Sequence, residues 1–201
     1  MTVRVMLISP AVNAALREAR FEGDAPLDAV GARRTAAVAA ADGVPRADRY
    51  VRSPSERCAQ TAKALGLQAR VEPGFADWDM GRWRGQRLED VGAVEPGAVS
   101  SWLTDPSAAP HGGESLADLA ARVGNVLESL DGSQERLLAV VEPAVARVAV
   151  VRALGLPVET FWRLDIAPLT VTELSGRSGR WNMRCGRPLG SDGAFVPEPD
   201  R

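Results

Sequence analysis

A chain of 201 residues is long enough to bury one full core, so a single domain is the default. Charged residues at 25%, hydrophobic residues at 45%, a net charge of −2 and a pI near 5.6 match ordinary globular proteins and exclude a dedicated nucleic-acid binder. Lys63 is the only lysine, and so arginine-rich a basic set reflects genome composition more often than phosphate recognition.

Val3 to Ile8 reads as a buried strand that Ser9-Pro10 stops, because proline cannot donate to a sheet ladder. In open α/β sheets ligands bind beyond the carboxyl ends of the strands, which directs attention to Ser9, Pro10 and Asn13. Ala14 to Ala25 is a loop or short helix ending in the acidic Glu22-Gly23-Asp24. A helix opens at Pro26-Leu27-Asp28 and runs to Ala41, with Gly43 and Pro45 closing it. Asp48 to Ser53 reads as a second strand, Ser55 to Leu65 as a helix with Pro54 at its start, and Gln68 to Val71 as a short third strand.

Phe75 to Gly85 mixes aromatics, charges and glycines without a period and is expected to be a functional loop. A helical patch from Gln86 to Leu103, interrupted near Pro96, precedes the glycine-rich His111-Gly112-Gly113. Glu114 to Leu130 is an amphipathic helix, with Leu116, Leu119, Ala120, Val123, Val126 and Leu127 at helical spacing. Arg136 to Val141 is an apolar strand and Pro143 to Leu154 the helix after it. Pro168 to Leu174 and Arg180 to Cys185 read as a hairpin around Ser175 to Gly179. The expected domain is 1–185, with a loose C-terminal tail over 186–201. The alternation of strands and helices predicts a three-layer α/β sandwich with a mostly parallel central sheet.

Cys58 and Cys185 are far apart and form no metal-ligand spacing, so reduced core thiols are expected. The N-terminal apolar run is too short for a signal sequence, and Glu142, Pro143 and Arg147 break the longest later one. A cytoplasmic location follows by elimination. No metal, no cofactor, no nucleic acid and no membrane are expected as partners.

Several motifs resemble the histidine phosphatase superfamily, the phosphoglycerate-mutase-like proteins. Ser53-Pro54-Ser55-Glu56-Arg57-Cys58-Ala59-Gln60-Thr61-Ala62 is similar to its Ser-Pro-x-x-Arg-x-x-Gln-Thr-Ala segment. Phe75 to Gly85 resembles its acid-bearing loop, Gly112-Gly113-Glu114-Ser115 its Gly-Gly-Glu-Ser helix start, and Pro26-Leu27 with Gly31 its Pro-Leu-x-x-x-Gly opening. The resemblance covers roughly residues 3 to 185. It implies a phosphoglycerate-mutase-like fold, and it places the family's Arg-His-Gly triplet on Ser9-Pro10-Ala11 and its second histidine on Glu142. Arg57 then matches a phosphate-holding arginine and Asp77 the general acid. Pro10 carries no nucleophilic atom, and the one histidine of the chain, His111, matches neither catalytic position.

The residues expected at the site are therefore Asp77 and Glu142 for catalysis, and Ser9, Asn13, Arg57, Trp78 and His111 for ligand contact. Arg57 holds a ligand oxyanion or pairs with Glu142. Glu142 is a general base or simply a carboxylate favoured at a helix start. Asn13 is a ligand donor or a turn cap, and Trp83 is expected to pack as a wall. Arg57, Asp77 and Glu142 sum to −1 if both acids ionise, and a like-charge contact at about 4 Å costs roughly 4 kcal/mol at an effective dielectric of 20, so tight phosphomonoester binding is not expected. The first functional expectation is a catalytically degenerate family member. It would bind a small molecule or partner a related subunit, as a homo- or hetero-oligomer. The second is a repurposed biosynthetic enzyme in which Arg57 with Glu142 or Asp77 drives elimination or cyclisation of a phosphate or sulfate ester. An active phosphatase with an unusual nucleophile is a third.

Overall fold

The computed structural model describes residues 2–41, 43–130, 135–177 and 179–188. Its strands are β1 (Val3–Ile8), β2 (Arg49–Arg52), β3 (Arg70–Val71), β4 (Arg136–Val140), β5 (Thr170–Arg177) and β6 (Arg180–Pro188). They form one sheet in the order β3-β2-β4-β1-β5-β6. β1 to β4 pair in parallel, whereas β5 runs antiparallel to β1 and β6 antiparallel to β5.

The helices are α1 (Ala14–Arg17), α2 (Ala29–Ala40), α3 (Glu56–Ala64), α4 (Leu88–Val94), α5 (Pro96–Thr104), α6 (Leu116–Leu130) and α7 (Pro143–Leu154). β1 is apolar at nearly every position because both of its faces are covered. Val3, Val5 and Leu7 join a core with α6 and α7, while Met6 and Ile8 join a second core with α2 and α3. Helices thus lie on both sheet faces, in a three-layer α/β sandwich. Each Val or Leu buried this way contributes about 1.5–3 kcal/mol.

Most boundaries follow local chemistry. Asp28 caps α2 by accepting from Gly31 N at 2.8 Å, and Ser55 caps α3 by accepting from Cys58 N at 3.3 Å. Pro54 therefore precedes the cap instead of occupying the first helical position. α7 starts at Pro143 and ends at Gly155, whose φ of 62° is the left-handed conformation glycine adopts without strain. The hairpin strands run further than the glycines suggested, with Ser175, Gly176 and Arg177 all paired across to β6. Gly176 lies so close to the Trp181 indole that a Cβ there would collide with the ring, which places this glycine inside the ladder. β6 also carries residues 186–188, so the expected tail starts later; residues 189–201 lie outside the described set.

Three parallel strands deliver the site. Ser9 N donates to Thr170 O at 3.1 Å, Val141 N to Ile8 O at 3.0 Å and Ser53 N to Val140 O at 2.8 Å. The carboxyl ends of β1, β2 and β4 are thereby aligned at one rim, from which Pro10, Ser55–Arg57 and Glu142 emerge.

Candidate active site

Arg57, in the first turn of α3, and Glu142, just after β4, are 4% and 1% exposed. Arg57 Nη2 and Nε donate to Glu142 Oε2 and Oε1 in a forked ion pair. Ser55 Oγ donates to Oε1 at 2.8 Å, and the Cys58 thiol lies 3.5 Å from the same oxygen. Arg57 Nη1 reaches Asn13 Oδ1 at 3.4 Å and Glu22 Oε2 at 3.9 Å. Burial alone would lower the Arg57 pKa, but the Glu142 carboxylate outweighs it and raises the value. Burial, then the Glu142 charge, pushes the Cys58 thiol well above its ordinary range.

Asp77 faces this pair from the loop before α4. Withdrawal from water, reinforced by the Glu142 charge, lifts its carboxyl to about 8, against partial opposition from Trp78 N–H and Arg57. Asp77 is therefore protonated at neutral pH. The expected site charge of −1 is corrected to zero for these three groups near neutral pH, because Asp77 carries its proton there.

The loop is held from α6. Arg122 Nη1 donates to the carbonyls of Gly74 and Ala76 at 3.0 Å and Nη2 to that of Asp77 at 3.3 Å, while Nη2 and Nε also grip the Glu114 carboxylate at 2.7 and 2.9 Å. Trp78 Nε1 donates to Glu114 O at 2.7 Å and Glu114 N to Asp79 O at 2.8 Å. Gly81 and Gly113 pack backbone to backbone, and a Cβ at either would strike the facing strand of loop. The glycine-bearing motifs around the acid are thus the contact surface that fixes it.

Arg57, Asp77, Trp78 and Glu142 line one cavity of about 260 Å³. Phe21, Trp102, Phe161 and Trp162 give it an aromatic wall with Arg147 of α7 beside them, and Arg20, Glu22 and Met80 contribute to the rest of the lining. Asp77 and Trp78 also border a second cavity of about 270 Å³, whose other walls include Glu22, Asp24 and Arg84.

Three expected ligand residues do not line this cavity. Ser9 is 1% exposed, its Oγ has no hydrogen-bond partner among the described residues, and no base activates it. Asn13 caps α1 by accepting from Leu16 N at 2.9 Å and donates to Glu22 and Ala25. His111 is buried against Trp83 with ring centroids 5.1 Å apart, and its Nδ1 accepts from Gly113 N at 3.1 Å. Burial lowers its pKa, so it is a neutral strut under the acid loop. Trp83 is fully buried, a core wall as expected.

The sequence reading did not find Arg147, Trp102, Phe161 or Trp162. Trp102 reads as one more apolar position of a helix. Phe161 and Trp162 lie in a 3₁₀ turn, Val158–Arg163, where no helical or strand period operates. An aromatic pair between Pro157 and Pro168 was the available signal.

The parallel sheet, its helical layers and a site at the strand ends define a phosphoglycerate-mutase-like α/β protein. The profile of the histidine phosphatase superfamily (branch 1) matches residues 11–186, and the chain belongs to that family. It is 35% identical over 121 residues to a glucosyl-3-phosphoglycerate phosphatase of Mycobacterium tuberculosis, covering 57% of this chain and 54% of that protein. The match thus spans about half the length of that relative. A glucosyl-3-phosphoglycerate phosphatase of Mycolicibacterium vanbaalenii is 29% identical over 157 residues, 71% of this chain and 70% of that protein. Among solved structures, a mycobacterial glucosyl-3-phosphoglycerate phosphatase in complex with VO3 superposes with a TM-score of 0.80 at 27% identity, covering 92% of this chain and 98% of the other. These relatives are named as phosphatases, which overturns the expectation of a catalytically degenerate binding or partner subunit and points to enzymatic function. No helix among the described residues is long and apolar enough to cross a membrane.

Proposed function

We propose that this chain is a phosphoester hydrolase in which Asp77 is the general acid and Glu142 the base toward an attacking water. The observation that carries the reading is a carboxylic acid held protonated near neutrality beside an ionised pair, in a cavity at the strand ends. A carboxyl whose pKa its surroundings raise to near the working pH is a candidate general acid. The names of the relatives support a phosphoester as the bond cleaved.

The roles follow from lone pairs. Glu142 Oε1 is saturated by Ser55, Arg57 and Cys58, whereas Oε2 accepts only from Arg57 and keeps a site for a water proton. Water attacks phosphorus and gives a proton to Glu142 as its P–O bond forms. The ester P–O bond breaks, and Asp77 protonates the departing alkoxide. The alcohol and phosphate leave, and proton exchange with solvent resets both carboxyls. The buried, unshared Cys58 thiol supports a reducing, cytoplasmic setting.

Removing a general acid costs about 10²–10⁴-fold in rate. Asp77→Asn is expected to lose that factor on alkyl phosphates and much less on p-nitrophenyl phosphate, whose leaving group needs no proton. The wild-type rate on alkyl esters is expected to fall above about pH 8, as Asp77 ionises. Equal losses on both ester types, or no turnover of either between about pH 5 and 9, would refute the assignment.

A further inference from the structure

We infer that this cavity selects phosphoesters of a flat, apolar alcohol, with the ring held on an aromatic wall and the phosphoryl anion drawn by Arg147. The inference rests on the hydrolase reading and adds the substrate class. It starts from four rings in mutual contact: Trp78 lies 5.4 Å from Trp102, 5.4 Å from Phe161 and 5.9 Å from Trp162, and Trp102 lies 4.7 Å from Trp162. They come from three separate segments, the acid loop, α5 and the 3₁₀ turn before β5, and all four line the same cavity as Asp77. Trp78 directly follows Asp77, so a ring on this wall sits beside the proton donor.

The wall suits an apolar ring better than a polyol. Its rings supply no hydrogen-bond acceptor, Trp78 Nε1 is already committed to Glu114 O, and beside the catalytic groups the polar lining includes the unpartnered Trp102 Nε1 and the Glu22 carboxylate. A polyol has more hydroxyls than these few groups can meet, and each hydroxyl left unmatched against the ring faces costs about tenfold or more in affinity. A planar ring instead gains offset or edge-on stacking.

Arg147 is the available cation. Arg57 is closed by its fork to Glu142 and by Glu22, and Arg20, which also lines the cavity, is held by Glu18 at 2.7 Å and the Gly85 carbonyl at 3.0 Å. Arg147 lies one turn after Pro143 on the face of α7 that lines the cavity, its guanidinium carbon 5.6 Å from the Phe161 centroid. Its acidic contact is the Asp165 carboxylate at 3.4 Å, which is 97% exposed and so strongly screened, and its Nε is buried without a partner.

The test compares 2-naphthylmethyl phosphate with glycerol 3-phosphate and glucose 6-phosphate, all of which release alkoxides, and titrates 2-naphthylmethylphosphonate by tryptophan fluorescence. The naphthyl ester is expected to be preferred in kcat/KM by about 10- to 100-fold. Trp162→Ala is expected to shrink that preference to threefold or less, and Arg147→Met to raise KM for every ester by about tenfold or more. Phosphonate quenching in the micromolar to low millimolar range supports the assignment even if neither variant folds. Turnover of all esters without ring preference overturns the substrate class and leaves the hydrolase reading intact. Phosphonate binding without turnover of any ester supports the cavity assignment and overturns the hydrolase reading. Absence of quenching together with absence of preference overturns the inference outright.

Discussion

Glu142→Ala is the most informative single change, because it opens the fork that Glu142 occupies. In the wild type the Arg57 guanidinium is buried and its charge is met by the Glu142 carboxylate, with Glu22 further away at 3.9 Å. Deleting one partner of such a pair leaves an uncompensated buried charge, at about 3–5 kcal/mol. For a domain of this size each kcal/mol moves Tm by about 2–4 °C, so the variant is expected to melt about 6–20 °C below the wild type. An oxyanion that enters the vacated fork should return part of that loss. Phosphate at 100 times its Kd would restore about 2.7 kcal/mol, or about 5–11 °C. The assay is a thermal melt of both proteins with sodium phosphate against sodium chloride at matched ionic strength. A variant that melts within about 2 °C of the wild type, or phosphate shifts of equal size in both proteins, would refute the claim that Glu142 satisfies Arg57 in place of a bound anion.

Asp77 also sets a pH dependence of stability. Its carboxyl ionises near 3.8 when unfolded and near 8 when folded, so between these values the folded chain binds about one more proton and stability falls as pH rises. At pH 7 the difference amounts to at most about 4 kcal/mol, less what partial contact with solvent returns, and it should vanish in Asp77→Asn, checked by urea titrations at pH 5 and 8. Arg122→Met removes donors to three loop carbonyls and the partner of Glu114, with an expected loss of about 2–4 kcal/mol and at least tenfold in kcat on alkyl esters. If Arg122 positions Asp77, the variant's loss is larger for alkyl than for p-nitrophenyl esters; equal losses would make its role purely structural.

The fold was legible where burial and punctuation agree. β1 is apolar on both faces and ends against Pro10, and α7 lies between Pro143 and Gly155, so both emerge within a residue of their reading. Arg57, Asp77, Trp78 and Glu142 were recognised from motif positions and meet in one cavity. The protonation of Asp77 was not legible, because it depends on the burial that tertiary packing imposes and then on a charge delivered after β4 from much later in the chain. Ser9, Asn13 and His111 were chosen for proximity to motifs, and proximity along the chain does not say which way a side chain turns. Asn13 turns to its helix, Ser9 into the strand end and His111 beneath the loop.

The same contrast locates what this chain does differently with its scaffold. A glutamate after β4 closes on the motif arginine and neutralises it, and its charge adds to burial in keeping the facing aspartate protonated. Arg147, whose acidic contact is the exposed Asp165, then lies one helical turn further along α7 beside a ring wall drawn from three separate segments. One residue at the rim of the sheet thus bears on two properties together: it adds to the burial that keeps Asp77 protonated, and it closes Arg57 to an anion. Glu142→Gln separates them. It should let Asp77 titrate closer to an ordinary buried carboxyl, moving the alkaline limb of the rate profile to lower pH, while the Arg147→Met effect on KM persists. Loss of the Arg147 effect in the double variant would mean that the two arginines act as one site.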